Sequence, residues 1–140
     1  MTGFSADERQ LLDDSLQGYL AEHYAFERWQ TLAASDLPAG QSEAWRSFAE
    51  LGWLGVALPE AFGGAGGGMT ELGIVMAAAG RHMALEGLLG TIVLGAGAIE
   101  RAGTDAQKAA LLPRIAAGAL SLAFCHAEPD AGYARDYVQT

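Results

Sequence analysis

At 140 residues the chain suits one domain and can bury a core; 51% hydrophobic and 18% charged residues exclude a disordered polymer. A net charge of −9 argues against nucleic acid and against an anionic membrane surface, both of which favour a basic stripe. The single cysteine, Cys125, excludes an internal disulfide and a cysteine zinc site, and suits a reducing compartment.

In chain order, "MTGFSADERQ" carries acids early and lacks the basic start and apolar run of a signal peptide. Ser5 and Glu8 form a capping box, with Asp7 adding a carboxylate at the helix N-terminus. Leu11, Leu12, Leu16, Tyr19, Leu20 and His23 recur at helical spacing, which predicts an amphipathic helix running to about Ala33. "SDLPAG", with Pro38 and Gly40, reads as a linker. A second helix is predicted from Ser42, with Trp45, Phe48, Ala49 and Leu51 on its apolar side and Gly52 as its C-terminal cap. After "AFGGAGGG", Thr70 is placed to cap a third helix with Leu72, Ile74, Val75 and Met76 on its apolar face. A fourth is predicted over about Leu85–Arg101, with Gly90, Gly95 and Gly97 interleaved among its apolar residues. Thr104 and Gln107 box the start of a fifth, which Pro113 bends or interrupts and Gly118 closes. Only "SLAFCHA" reads as a strand. The longest uncharged stretches, Gly87–Ile99 and Ile115–Cys125, are shorter than the ~20 residues a bilayer-spanning helix needs, so a soluble cytoplasmic protein is expected.

The five glycines of 63–68 invite a phosphate-binding reading, but no lysine follows them as a Walker loop requires. The last glycine of a dinucleotide fingerprint is also missing, which leaves a plain flexible connection as the alternative. His23, His82 and His126 have no metal-ligand spacing; His82, beside Arg81 at a helix end, suits the C-terminal dipole. On a strand Cys125 and His126 point to opposite faces, so they do not pair as nucleophile and base, and Cys125 reads as a small core residue. The glycines of the fourth helix each cost about 1 kcal/mol against alanine, so either close packing or room for a ligand must offset them.

"FAELGWLGVALPEAFGGAGGG" (Phe48–Gly68), "AGTDAQKAALLPRIAAGALSLAFCHAEP" (Ala102–Pro129) and the helices between them resemble the acyl-CoA dehydrogenase family. The Gly-Trp pair, the Leu-Pro-Glu, the aromatic-Gly-Gly, the Gly-Thr-x-x-Gln-Lys and the strand ending in Glu-Pro carry the resemblance over nearly the whole chain. It implies a mainly α fold: a bundle of about five helices like that family's N-terminal domain over residues 1–118, and a C-terminal strand segment over 119–140 that starts a truncated middle β-domain. On that reading the chain stops far short of a family member's full length and is a truncated polypeptide, or one that relies on another chain.

For chemistry, the resemblance implies FAD-dependent α,β-dehydrogenation of an acyl-CoA thioester, with an electron-transfer acceptor and a homo- or hetero-oligomeric complete protein. The family's catalytic glutamate lies in a C-terminal domain, so no catalytic residue is assigned here, Glu128 included, and the chain alone is expected to be inactive. Phe124, His126 and Ala127 match positions near the isoalloxazine ring, and Tyr133 matches one near the flavin or the thioester end. Gly87, Gly90 and Leu94 match the wall of the acyl pocket, where glycine at 90 would admit a bulky acyl chain. Two departures bear on flavin binding: Ala127 stands where the family has threonine, and Gly132-Tyr133-Ala134 stands where it has Gly-Ser-Asp. Arg135-Asp136-Tyr137 resembles branches acting on dicarboxylic and steroid-derived thioesters, some of them hetero-oligomers with weakened flavin contacts in one subunit type. The alternatives are therefore a non-catalytic subunit of a heteromeric dehydrogenase, or a helical interaction module without chemistry.

Overall fold

The N-terminal capping box forms as the sequence requires. Ser5 Oγ accepts from the Glu8 amide and the Glu8 carboxylate accepts from the Ser5 amide, opening helix α1 (Ala6–His23). The computed structural model describes residues 3–35, 42–132, 134 and 136–139; the predicted linker lies outside them from residue 36 on, Pro38 and Gly40 included. The predicted first helix does not run through to Ala33: it breaks at Tyr24 and resumes as α2 (Phe26–Ala33). Tyr24 leaves helical geometry at φ −120°, ψ 32°, and its buried phenol donates to the Glu86 carboxylate. A buried phenol must find an acceptor, and this one lies far along the chain, so tertiary contact overrides local helix propensity.

Helix α3 (Glu43–Glu50) starts at Ser42, whose hydroxyl accepts from the Trp45 amide and donates to Glu86. It ends where Gly52 takes φ +77°, a conformation that favours glycine. Short 3₁₀ turns follow at Trp53–Gly55 and Glu60–Phe62. Helix α4 (Met69–Arg81) begins one residue before the predicted Thr70 cap. The Glu71 carboxylate, not the Thr70 hydroxyl, closes its first turn by accepting from the Gly68 amide at 2.6 Å. The predicted fourth helix opens later than Leu85, with a π-helical stretch at Leu89–Gly95 that continues into α5 (Ala96–Ala102). Thr104 and Gln107 box α6 (Asp105–Ala116), which runs through Pro113 without interruption. The carbonyl four residues before that proline belongs to exposed Ala109, so water can take the place of the missing amide.

Leu16 and Leu20 of α1 pack with Val75, Ala78 and Ala79 of α4, while Trp45 and Phe48 of α3 meet Leu54, Leu112 and Ile115 in the same core. Tyr19, Phe48 and Trp53 add an aromatic cluster with ring centroids 5.2–5.8 Å apart. Trp45 is fully buried, and its indole N–H donates to the Gly118 carbonyl at 2.9 Å, pinning the end of α6 onto α3. The fold is mainly α, as expected. The "SLAFCHA" segment, however, forms no strand among the described residues, because a strand is defined by pairing and no neighbouring strand lies beside it. Cys125 on that segment is exposed rather than in the core.

Candidate functional site

The glycine-rich loop is neither a phosphate cradle nor a flexible connection. The amides of Gly64, Ala65, Gly66 and Gly67 donate to the carbonyls of Pro59, Gly55, Leu58 and Val56, and the Gly68 amide donates to Glu71. An anion site at such a loop needs inward-pointing amides; these five already have acceptors. Side chains are excluded as well: a Cβ on Gly64 would overlap the Leu58 carbonyl, and one on Gly67 would lie 2.6 Å from the Val56 oxygen. The loop fixes the N-terminus of α4, and with it Glu71. This buried carboxylate also accepts from Arg9 Nε at 2.6 Å, and the Gly68 amide, then Arg9, hold its pKa below the ordinary 4.5.

A second, partly buried network stands just before the proposed acyl wall. The Glu86 carboxylate accepts from Tyr24 and from Ser42, the latter at 2.9 Å, so it joins the α1–α2 break to the N-terminus of α3. Burial, then the adjacent carboxylate, push the Tyr24 phenol above its ordinary pKa of 10. His82 Nε2 donates to the Gln17 side-chain oxygen at 3.0 Å and Gln17 donates to Asp13, so the histidine that a helix dipole would suit has a neutral partner. No group of three or more potential metal-ligating side chains occurs among the described residues.

The π-helical stretch faces Leu122, two residues before Phe124. A Cβ on Gly90 would lie 2.9 Å from the Leu122 oxygen, and one on Gly95 would lie 2.7 Å from a Leu122 methyl. These two glycines therefore serve close packing, whereas Gly97 has open space. Between them Thr91, fully buried, accepts from the Leu122 amide at 2.9 Å and donates to its carbonyl at 3.3 Å. Gly87, half-buried, accepts from the Thr91 amide through its carbonyl. Leu94 is exposed and turns away to line a groove of about 480 Å³ with Leu58, Met69, Val93 and Gly97.

Beyond Leu122, residues 123–127 are all exposed, and none of their amides has a protein partner among the described residues. Phe124 and His126 stack at 5.8 Å with an 18° interplanar angle. Ala127 presents only a methyl group, Tyr133 lies outside the described residues, and the Glu128 carboxylate accepts from the Gln139 amide at 2.9–3.0 Å. The structure thus brings Phe124 and His126 together. It places Gly90 under Leu122 and puts Leu94 on a separate groove. Thr91, Glu86 and Tyr24 were not singled out from the sequence; a lone threonine in a glycine-rich apolar helix was the only trace of the first.

Residues 6–119 match the family described as Acyl-CoA dehydrogenase, N-terminal domain. The chain belongs to the acyl-CoA dehydrogenase family. It is 41% identical over 134 residues to the acyl-CoA dehydrogenase FadE12 of Mycobacterium tuberculosis, covering 91% of this chain and 32% of that one. Among solved structures it resembles a steroid ACAD variant, Tcur3481–Tcur3483, with TM-score 0.75 and 34% identity over 84% of this chain and 32% of that one. It also resembles the ChsE4–ChsE5 complex from M. tuberculosis, with TM-score 0.73 and 30% identity over 94% of this chain and 33% of that one. The chain spans about a third of the length of these relatives.

Proposed function

We propose that this chain forms the N-terminal helical domain of an FAD-dependent acyl-CoA dehydrogenase, over residues 1–118, with 119–140 beginning its middle domain. The observation that carries the reading is the open segment 123–127: five exposed residues whose amides have no partner among the described residues, with the rings of Phe124 and His126 stacked. Such a surface fits a planar heteroaromatic group, with rings for its face and backbone donors and acceptors for its polar edge. When bound, FAD supplies the acceptor for the hydride leaving an acyl thioester.

This chain's own part is to hold and shield. Phe124 and His126 offer aromatic contact and Ala127 a methyl group; the resemblance also assigns Tyr133 to the flavin and Gly87, Gly90 and Leu94 to the acyl wall, of which Gly90 packs against Leu122 and Leu94 lines a separate groove. The proton-abstracting base comes from elsewhere in the complete protein, since the family's catalytic glutamate lies in a C-terminal domain that these residues do not include. An electron-transfer acceptor reoxidises the flavin, and a cytoplasmic location fits a chain in which no described helix is long and apolar enough to cross a membrane.

Ala127 favours a second reading, a non-catalytic subunit of a heteromeric dehydrogenase, because the family's threonine hydroxyl is absent there. The ChsE4–ChsE5 neighbour, a complex of two proteins, supports the same reading. The visible absorption spectrum of the natively purified chain, before and after adding FAD, tests both. Flavin bands support a flavin site around Phe124 and Ala127. A chain that takes up no FAD alone, yet copurifies with a flavin-bearing partner, supports the subunit reading; no flavin in either state and no flavin-bearing partner overturns a flavin site built on this chain's own residues.

A further inference from the structure

We infer that Thr91 is a positioning residue that sets the height and register of segment 123–127, and so of Phe124 and His126, on the helical wall. What the segment serves rests on the functional reading above; what holds it rests on geometry alone. A threonine hydroxyl in a helix ordinarily turns back to the carbonyl of the preceding turn. Thr91 instead reaches 31 residues along the chain to meet both the amide and the carbonyl of Leu122. Gripping both backbone groups of one residue fixes the rotation of that stretch as well as its distance, as a neighbouring strand would.

The glycines beside it set how close the segment can come. With a Cβ at 90 or 95, Leu122 would be pushed outward and the hydroxyl would lose its reach. The winding of Leu89–Gly95 serves the same contact: residues five apart diverge around an α-helix, and i→i+5 winding brings Gly90 and Gly95 toward one face. Phe124 and His126 follow Leu122 at two and four residues, the spacing that shares a side in extended chain, and their rings stack accordingly. Thr91 is fully buried, so removing its hydroxyl leaves the Leu122 amide without this partner.

The test compares the 140-residue chain with T91V, which keeps the shape and loses the hydroxyl, and T91S, which keeps the hydroxyl. Amide exchange and ring–ring contacts are followed by NMR. In T91V the Leu122 amide should exchange about tenfold faster while amides of α1 and α4 hold, the loss of one buried hydrogen bond. The Phe124–His126 contacts should disappear with it, and T91S should match wild type. Should T91V not fold, T91A is read the same way. Leu122 exchange that is unchanged, or that rises by the same factor as α1 and α4, overturns the inference, as does a T91S that behaves like T91V. Where the wild type takes up FAD, T91V should weaken it about tenfold, the equivalent of that same bond, and equal affinity also overturns the inference. A wild type that takes up no FAD refutes the flavin reading alone, and Leu122 exchange still decides the role of Thr91.

Discussion

Replacing Glu71 by glutamine tests whether the α4 N-terminus is held by charge. The carboxylate accepts two donors, Gly68 N and Arg9 Nε, both at 2.6 Å, and is 2% exposed. Glutamine has one acceptor oxygen, so it can meet one donor and must turn its own N–H₂ toward the other. A hydrogen bond to a charged group contributes about 1.5–3 kcal/mol. Arg9 is 40% exposed, so its share is discounted for solvent screening. The lost charge at the helix N-terminus adds about 0.5 kcal/mol. The sum is about 2–3 kcal/mol, or a Tm lower by about 6–9 °C for a chain of this size.

The pH dependence follows from the direction of the shift. The folded Glu71 carboxyl titrates below its ordinary 4.5, so its contribution is complete above that pH and is lost as pH falls through the lower folded value. A protonated carboxyl, like glutamine, turns a donor toward donors, so wild type and E71Q should converge in acid. Thermal unfolding followed by far-ultraviolet circular dichroism at stepped pH values measures the gap. A Tm difference within about 1 °C at pH 7, well under one hydrogen bond's worth, would refute the reasoning. A gap that persists undiminished below pH 4.5 would refute it equally.

The glycine loop and Tyr24 give two further expectations. G64A should lose roughly 3 kcal/mol or more, since the new Cβ overlaps a fixed carbonyl, whereas G73A, with open space at an exposed position of α4, should gain about 1 kcal/mol; urea titrations of the two side by side check the contrast, and equal effects would undo it. The raised Tyr24 pKa means that its contribution is whole below pH 10 and is lost as pH rises through the higher folded value. Wild type should therefore lose stability in alkali faster than Y24F, with tyrosinate absorbance appearing together with unfolding.

Legibility in the sequence tracked distance along the chain. The boxes at Ser5–Glu8 and Thr104–Gln107 and the turn at Gly52 were readable because their partners lie within a few residues. The cap at Gly68 was missed although Glu71 has the right spacing, because glycine lacks the hydroxyl that announces a capping box. The break at Tyr24 and the π-helical winding were hidden, since each answers to a residue far away: Glu86 for one, Leu122 for the other. At the site, the family resemblance brought Phe124 and His126 to notice. Thr91, whose meaning depends on what lies across from it, gave no such cue.

The first thirty residues are tied to α4 and the turn after it by Arg9–Glu71, Gln17–His82, Tyr24–Glu86 and Trp29–Met83, pairs 54–65 positions apart. During synthesis, at roughly 5–20 residues per second, α1 therefore waits about 3–12 s for its mate to leave the ribosome. Throughout that interval Leu16 and Leu20 face water. A nascent chain arrested before residue 71 should be cut within α1 by protease, and one arrested well beyond residue 86 should be spared. The apolar stripe that seals the finished bundle is, for those seconds, a surface for chaperones to read.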